Sequence, residues 1–194
     1  MKFSGKITME KQKSSVAKSI AEIAVVVALM VVFTLFVSIP FAPVPLTFQT
    51  VICICSGILL GRKKGAIAMF VYFFLGFVCH IPVFAGFTGG FVTVFKPTFG
   101  YIIGFIPAAY IAGLIVDKSQ NKSFGIFILA AVCGVLINYI IGIPYFMAIW
   151  KFYLGKGELL QAFLTYNLIY IPKDIVLGII AAFVCKPVKK ATNL

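Results

Sequence analysis

Asp174 is the side chain in this sequence that most strongly indicates binding chemistry. The chain has only five acidic residues, and Asp174 is the one directly followed by an unbroken apolar run, residues 175–184. Pro172 suits the first turn of a helix, so we expect Asp174 in that turn, where the helix dipole favours its charge. An ionisable group in such a segment usually lines a pathway or a binding site. The alternative is that Asp174 caps its helix or pairs with Lys173.

The loop at residues 81–97 has the composition of a pocket for a small organic acid. Its aromatic residues alternate with glycines: Phe84, Phe87, Phe91 and Phe95 with Gly86, Gly89 and Gly90. Lys96 follows them. Aromatic walls, bare backbone and one cation are what such a pocket requires. For Lys96 and Lys173, the alternative is a lysine whose ammonium group meets the lipid headgroups.

Two further sets of polar residues lie within apolar runs. Thr47, Gln49 and Thr50 enter a run just after Pro45, where they contact a ligand, cap the segment or form structural hydrogen bonds. Asn138 lies in the middle of another run. It shares a helix face with small residues, Ala130, Gly134 and Gly142. A hydrogen bond between helices is the alternative to a ligand contact there.

No arrangement of residues supports catalysis, so we expect neither an enzyme nor a bound cofactor. The sequence has no Ser–His–acid set, no carboxylate pair and no phosphate-binding Gly loop ending in Lys-Ser or Lys-Thr. His80 is the only histidine and lacks partner ligands, which argues against a metal site. The cysteines are scattered through apolar runs, and we expect all of them to be buried thiols. They are Cys53, Cys55, Cys79, Cys133 and Cys185.

The composition is that of an integral membrane protein with one domain. Of the 194 residues, 62% are hydrophobic and 11% are charged, whereas about a quarter of the residues in a soluble domain are charged. A secretory signal peptide would be followed by a polar mature chain, and none follows here. With so little polar surface, the chain must face lipid.

Six apolar runs predict an all-α protein with six transmembrane helices. The runs are about 20–38, 46–60, 66–79, 100–116, 124–150 and 163–185. A Pro-rich turn at 40–45 joins the first two. We expect a cytoplasmic segment 1–19, a single substrate-binding domain 20–186 and a cytoplasmic tail 187–194. Several runs are shorter than the ~20 residues that cross a bilayer, which predicts tilted or broken helices around an internal cavity.

The basic residues predict the orientation of the chain. With the amino terminus in the cytoplasm, thirteen of the 17 Lys and Arg residues fall in inner segments. The outer four are Lys96, Lys151, Lys156 and Lys173. This imbalance predicts that both termini are cytoplasmic. It also explains the net charge of +12 without nucleic acid, because the charges mark membrane sides and form no basic patch beside stacking aromatics.

Two helices carry stripes of small residues that permit close helix packing. One stripe follows the loop and repeats every fourth residue, with Gly100, Gly104 and Ala108. The other lies on the first span and consists of Ala17, Ala21, Ala24 and Ala28. This second stripe suits contact with a partner helix, and packing inside the protein is the alternative.

Several separated segments resemble the BioY family, the biotin-binding S components of energy-coupling factor (ECF) transporters. They are PVPLTFQTVICICSGILLGRKKGAIAMFVYFFLG (43–76), IPVFAGFTGG (81–90), KPTFGYIIGF (96–105) and IPKD (171–174). The resemblance implies a six-helix substrate-capture protein in the plasma membrane of a prokaryote. Such a protein docks on a transmembrane coupling subunit driven by two ATPase subunits, and alanine stripes in the first helix serve that docking.

The resemblance also implies biotin as the ligand and roles for particular residues. Asp174 would accept a hydrogen bond from the ureido N–H, and Thr88 or Gln49 would complete that pairing. Phe84 and Tyr101 would wall the ring, and Lys96 or Lys173 would meet the carboxylate. The chain departs from the family pattern at Lys96, Phe99 and Lys173, where the family has glycine, and at Leu177, where it has lysine. The polar position inside the Gly-rich loop is Thr88. These departures leave open the alternative that the ligand is another small carboxylated vitamin or precursor.

Overall fold

The computed structural model describes residues 2–38 and 45–192, with side chains from residue 15 onwards. Most of the Pro-rich turn at 40–45 therefore lies outside the described residues. The helices are α1 (Lys2–Leu35), α2 (Gln49–Phe77), α3 (Phe99–Lys118), α4 (Phe124–Ala148), α5 (Leu159–Phe163) and α6 (Tyr170–Thr192). A 3₁₀ turn at Phe91–Phe95 and π-helical turns at Ile149–Tyr153 and Leu164–Leu168 supplement them.

Four helical segments of the described chain are long and apolar enough to cross a bilayer. They are Ser15–Leu35, Phe99–Lys118, Phe124–Tyr153 and Leu159–Thr192. Large apolar side chains such as Leu29, Ile140 and Ile180 are exposed on the outer faces, as expected for contact with lipid. The prediction of an all-α membrane protein is confirmed. The polar segment predicted at 1–19 continues into the first span, because α1 is one unbroken helix.

Helix α2 contains the second and third predicted runs and is broken at Gly61. The backbone there has φ 81° and ψ 170°, a conformation that residues with a Cβ atom rarely adopt. The two halves then run back alongside each other, because Gly65 lies against the backbone of Gly57. Further from the break, Gln49 Nε2 donates a hydrogen bond of 2.8 Å to Tyr72 Oη.

Charged side chains from two other helices cap the broken backbone on both sides of Gly61. Asp117 Oδ2 accepts a hydrogen bond of 3.0 Å from the backbone N–H of Arg62. Lys189 is buried and its Nζ atom donates to the carbonyl oxygens of Ile58 and Leu59, at 2.7 and 3.0 Å. These bonds satisfy groups that a helix end leaves without partners. They also join α2, α3 and α6 at the end of the bundle where most of the basic residues lie.

We expect Gly61→Ala to destabilise the protein by about 1–3 kcal/mol, the typical cost of forcing a residue with a Cβ atom into such a conformation. A Cβ atom at this position would also lie 3.1 Å from both carboxylate oxygens of Asp117. The thermal unfolding midpoint of the purified variant measures the loss. Gly125→Ala is the matched control, because a Cβ atom there meets nothing closer than 3.8 Å. Equal midpoints for the two variants would contradict this account of the break.

The stripe of small residues on α3 brings neighbouring helices into close contact, as predicted. Gly100 packs against the Tyr145 side chain and Gly104 against Asn138, both on α4. On another side of α3, the backbone of Ala109 lies against Gly57 of α2. A methyl group added at any of these three glycines would overlap its neighbour.

The prediction that all five cysteines are buried is wrong. Cys53 and Cys185 are buried, Cys55 and Cys133 are half-buried, and Cys79 is exposed. Cys79 lies just past the end of α2, where the chain leaves the helix for the loop. Hydrophobicity along the chain does not distinguish a thiol inside the bundle from one at its edge.

Candidate ligand-binding site

A cavity of about 280 Å³ lies at the end of the bundle opposite Gly61. Its walls come from the start of α2, the loop that follows α2, and helices α3, α4 and α6. Eight of the nine predicted site residues line it: Thr47, Gln49, Phe84, Thr88, Lys96, Tyr101, Lys173 and Asp174. The volume and the mixture of aromatic and polar walls suit a small organic molecule.

Asp174 is almost fully buried, at 5% exposure, and its two carboxylate oxygens have different surroundings. Oδ2 accepts hydrogen bonds from Tyr139 Oη at 2.7 Å and from Thr50 Oγ1 at 3.3 Å. Oδ1 lies 2.8 Å from Lys173 Nζ as an ion pair, yet it accepts no well-formed hydrogen bond from any described residue. Because a carboxylate oxygen has two lone pairs, Oδ1 retains capacity for a ligand donor.

The helix dipole does not explain the charge of Asp174, and its predicted place in a first turn is wrong. Helix α6 begins at Tyr170, and the chain from 159 to 168 before it is already helical. The carboxylate is held instead by the ammonium group of the adjacent Lys173 and by two hydroxyl groups from other helices, those of Tyr139 and Thr50. Buried charges are tolerated when they are paired and hydrogen-bonded in this way.

Lys173 faces the cavity and not the lipid headgroups. Besides its ion pair with Asp174, its Nζ atom lies 3.4 Å from the carbonyl oxygen of Thr47 and 5.4 Å from the centre of the Tyr170 ring. These contacts cover the ammonium group on three sides. Lys173 thus offers a ligand less free hydrogen-bonding capacity than an unpaired lysine would.

A chain of polar side chains runs from the cavity wall into the bundle. Thr47 Oγ1 donates to Gln49 Oε1 at 3.1 Å, and Gln49 Nε2 donates to Tyr72 Oη at 2.8 Å. Tyr72 Oη in turn donates to the carbonyl oxygen of Val83, at the start of the loop, at 3.0 Å. Gln49 keeps a second N–H and a second acceptor lone pair beyond these bonds. It can therefore contact a ligand while it is held in place.

Phe84 is the only one of the four predicted loop phenylalanines that lines the cavity. It is 2% exposed, and its ring fills the space that the missing side chain of Gly76 leaves open. Paired backbone hydrogen bonds between Phe84 and Thr88, at 2.9 and 3.2 Å, close the tight turn after it. The prediction that Phe87, Phe91 and Phe95 wall the pocket is wrong. These rings are about half exposed and pack on the outer rim, against Phe36, Phe77 and Tyr153 respectively.

Lys96 lines the cavity without an acidic partner among the described residues. Partial burial lowers the pKa of its ammonium group from the ordinary value, because desolvation disfavours the charge. A bound carboxylate would supply the missing counter-charge. Of the two lysines in the wall, Lys96 is therefore the better placed to recognise an anionic group.

Asn138 is the predicted site residue that the structure does not bring to the cavity. It is 1% exposed and packs between α3 and α4, with its side chain against Gly104. Its Oδ1 atom has no hydrogen-bond partner among the described residues. The side chain thus lies between two helices, as the alternative to a ligand contact requires, but its Oδ1 atom does not form, with any described residue, the hydrogen bond between helices that this alternative predicts.

A model of the BioY family matches residues 8–194. The chain belongs to the BioY family. It is 34% identical to a probable biotin transporter BioY of Lysinibacillus sphaericus, over 94% of this chain and 91% of the relative. It is 36% identical to a probable biotin transporter BioY of Pyrococcus horikoshii, over 91% of each.

The fold of this BioY protein resembles a crystal structure of the S-component for biotin from an ECF-type ABC transporter. The TM-score is 0.77 at 26% sequence identity, and the match covers 91% of this chain and 93% of the other. The family and the apolar helices together make this a multi-pass protein of a prokaryotic plasma membrane.

Three tyrosines of the BioY cavity were not predicted from the sequence: Tyr139, Tyr166 and Tyr170. Tyr139 gives Asp174 its shortest hydrogen bond and crosses the Tyr101 ring edge-on at 5.4 Å. Its only sequence signal is its place beside Asn138, which the sequence analysis predicts as a site residue. Tyr166 lies in a π-helical turn, and neither the 3.6-residue nor the two-residue periodicity predicts such a turn.

Proposed function

We propose that this protein is the substrate-capture component of an ECF-type biotin uptake transporter. The observation that carries the proposal is the buried Asp174 carboxylate, which keeps an unfilled acceptor position in a cavity of small-molecule size. Biotin offers a ureido group with N–H donors, an apolar bicyclic ring and a carboxylate tail. The similarity to biotin transporters and to an S-component for biotin supports the choice of this ligand.

Each part of biotin has a counterpart in the cavity wall. We assign Asp174 Oδ1 to one N–H of the ureido group. Gln49 or Thr88 contacts the remaining polar atoms of that group. Phe84 and Tyr101 wall the ring, and Thr47 holds Gln49 in position. For the carboxylate tail, Lys96 is a better partner than Lys173, because Lys173 is already paired with Asp174. Asn138 is not assigned to the ligand.

Calorimetric titration of the purified protein with biotin tests the ligand assignment. Saturable binding of one biotin per chain is the expected result. Mass spectrometry of small molecules that co-purify with the protein provides an independent check. A different carboxylated vitamin in that eluate, together with no heat from biotin, would retain the transporter class and overturn the ligand.

We also propose that the chain crosses the membrane six times, with both termini in the cytoplasm. The two halves of α2 on either side of Gly61 would form the second and third crossings. Lys64 forms an ion pair with Glu22 of α1 at 2.7 Å, and the backbone N–H of Arg62 donates a hydrogen bond to Asp117 of α3. These contacts gather basic segments at one end of the bundle, which supports a cytoplasmic position for that end. The cavity then opens towards the outside.

Single-cysteine labelling of intact cells tests this orientation. In a background without native cysteines, Lys63→Cys and Gln120→Cys should resist a membrane-impermeant thiol reagent until the cells are opened. Both native side chains are exposed, so burial does not limit the reaction. A separate variant that retains only Cys79, which is exposed beside the loop, should react in intact cells and serves as the outward-facing control. The reverse pattern would invert the proposed topology.

The proposed partners are a transmembrane coupling subunit and two ATPase subunits, besides membrane lipid. The stripe on α1 supports a docking role, because Ala17, Ala21, Ala24 and Ala28 are all exposed. The residues of α1 that face the core are others, including Val27 and Met30. Exposed small residues permit close approach of a second helix.

A further inference from the structure

A second cavity, of about 360 Å³, adjoins the ligand cavity at the same end of the bundle. Tyr166 lines both cavities. The second is formed by the end of α4, the segment after it and α5. The side chains on its wall that can donate hydrogen bonds are Trp150, Lys156, Gln161, Thr165 and Tyr166, and Glu158 is the one acid among the residues that line it.

Trp150 is the most informative residue of this cavity. It is 7% exposed and packs between the rings of Phe146 and Tyr166, with centroid distances of 5.5 and 5.3 Å. Its indole Nε1–H is buried and has no acceptor among the described residues. A buried donor without an acceptor is unfavourable, so an acceptor bound in this cavity would satisfy the Trp150 N–H group.

The positive charge in this cavity comes from Lys156. Its Nζ atom lies 4.5 Å from the centre of the Trp150 ring, in a cation–π contact. Lys156 and Glu158 are both exposed, so water screens the two charges alike. A cation, an unpaired N–H and the neutral donors of Gln161 and Thr165 together form a set suited to a carboxylate.

The backbone is irregular where this cavity is built. Trp150 lies in the π-helical turn Ile149–Tyr153, and Thr165 and Tyr166 lie in the π-helical turn Leu164–Leu168. Such turns are rare and occur frequently at functional sites. Here they bring Trp150 and Tyr166 together, and Tyr166 separates the two cavities.

We propose that the second cavity is an outer subsite that binds the carboxylate group of the ligand before its ring passes Tyr166 into the main cavity. The proposal rests on the proposed function in so far as the ligand is taken to be an organic acid. Lys156 provides the charge, and Trp150 provides a donor that has no acceptor among the residues that the structure describes. The subsite requires a carboxylate and does not require a ureido group.

Trp150 is the only tryptophan of the chain, so intrinsic fluorescence reports on this subsite directly. The probe is hexanoate, an alkyl carboxylate without a ureido group, added to the protein in detergent micelles, which contain no tryptophan of their own. We expect a saturable change in tryptophan emission with hexanoate and none with hexan-1-ol, which partitions into the micelles but has no charge. An equal response to both compounds, or no response to either, would overturn the subsite.

Lys156→Gln should raise the half-saturating hexanoate concentration by up to about fivefold, the effect of losing an ion pair to an exposed lysine. Lys151→Gln is the matched control, because Lys151 is equally exposed and makes its cation–π contact with Phe152, outside the cavity. Equal shifts in the two variants would also overturn the proposal.

Asp174→Asn should keep the hexanoate response, because Asp174 does not line this cavity. If the wild-type protein responds to hexanoate but does not bind biotin, the proposed ligand is wrong and the subsite stands. If it binds biotin but does not respond to hexanoate, the subsite is wrong and the proposed ligand stands.

Discussion

Asp174→Asn should lower the affinity for biotin by about ten- to a hundred-fold, which corresponds to the ~1.5–3 kcal/mol typical of a charged hydrogen bond. Tyr139 and Thr50 both donate to Oδ2, so they fix the orientation of the new amide with its oxygen at that position. The amide NH₂ group then takes the place of Oδ1. It presents a donor to the ureido N–H and to Lys173, where the wild type presents an acceptor.

Calorimetric titration of the folded variant measures this loss, and thermal unfolding without ligand is measured separately. If Asp174 only pairs with Lys173, the variant will unfold at a lower temperature but bind biotin with wild-type affinity. Desthiobiotin retains the ureido group and should lose as much affinity as biotin does. Asp117→Asn is the matched control, because Asp117 is a carboxylate that caps Arg62 at the other end of the bundle.

The membrane class and the close packing of α3 could be predicted because both depend on local composition. Long apolar runs must form helices in lipid, where backbone groups have no other partners. The break at Gly61 is different, since a glycine between two apolar runs fits either a turn between helices or a bend within one. Its geometry depends on Asp117 and Lys189, which lie 56 and 128 residues further along the chain.

The cavity could be predicted in outline, but its walls depend on tertiary packing. The sequence identified Gln49, Lys96 and Asp174 as site residues, and all three line the cavity. Aromatic content did not identify which rings face inward, because Phe84 packs at Gly76 while Phe87 and Phe91 meet other aromatic rings at the rim. In a membrane protein the inside of the bundle and its outer rim are both apolar, so hydrophobicity does not distinguish a ring in the cavity wall from a ring at the rim.

The two ends of the molecule have separate tasks in the proposed function. The cavity lies at one end, and the basic segments, the Gly61 break and the Glu22–Lys64 ion pair lie at the other. The stripe on α1 begins at that second end, at Ala17, and continues to Ala28. A coupling subunit on the stripe could therefore bind without touching the ligand. This separation makes binding and energised transport independently testable.

Ala21→Trp should abolish energised biotin uptake and leave biotin affinity unchanged. Ala21 is exposed in the middle of the stripe, so the indole ring meets no other part of the chain. It would instead occupy the space that a closely packed partner helix needs, since such contacts depend on small residues. Uptake by cells that also express the coupling and ATPase subunits should fall to the level of cells without the coupling subunit.

Leu29→Trp is the matched control for this result. Leu29 is an exposed apolar residue of α1 outside the stripe, so the added ring should enter lipid and leave uptake near the wild-type rate. Co-purification of the coupling subunit should follow the same order, with loss for Ala21→Trp and retention for Leu29→Trp. If Ala21→Trp loses biotin binding and folding along with uptake, the stripe packs inside the protein. Normal uptake by Ala21→Trp would place the docking surface elsewhere.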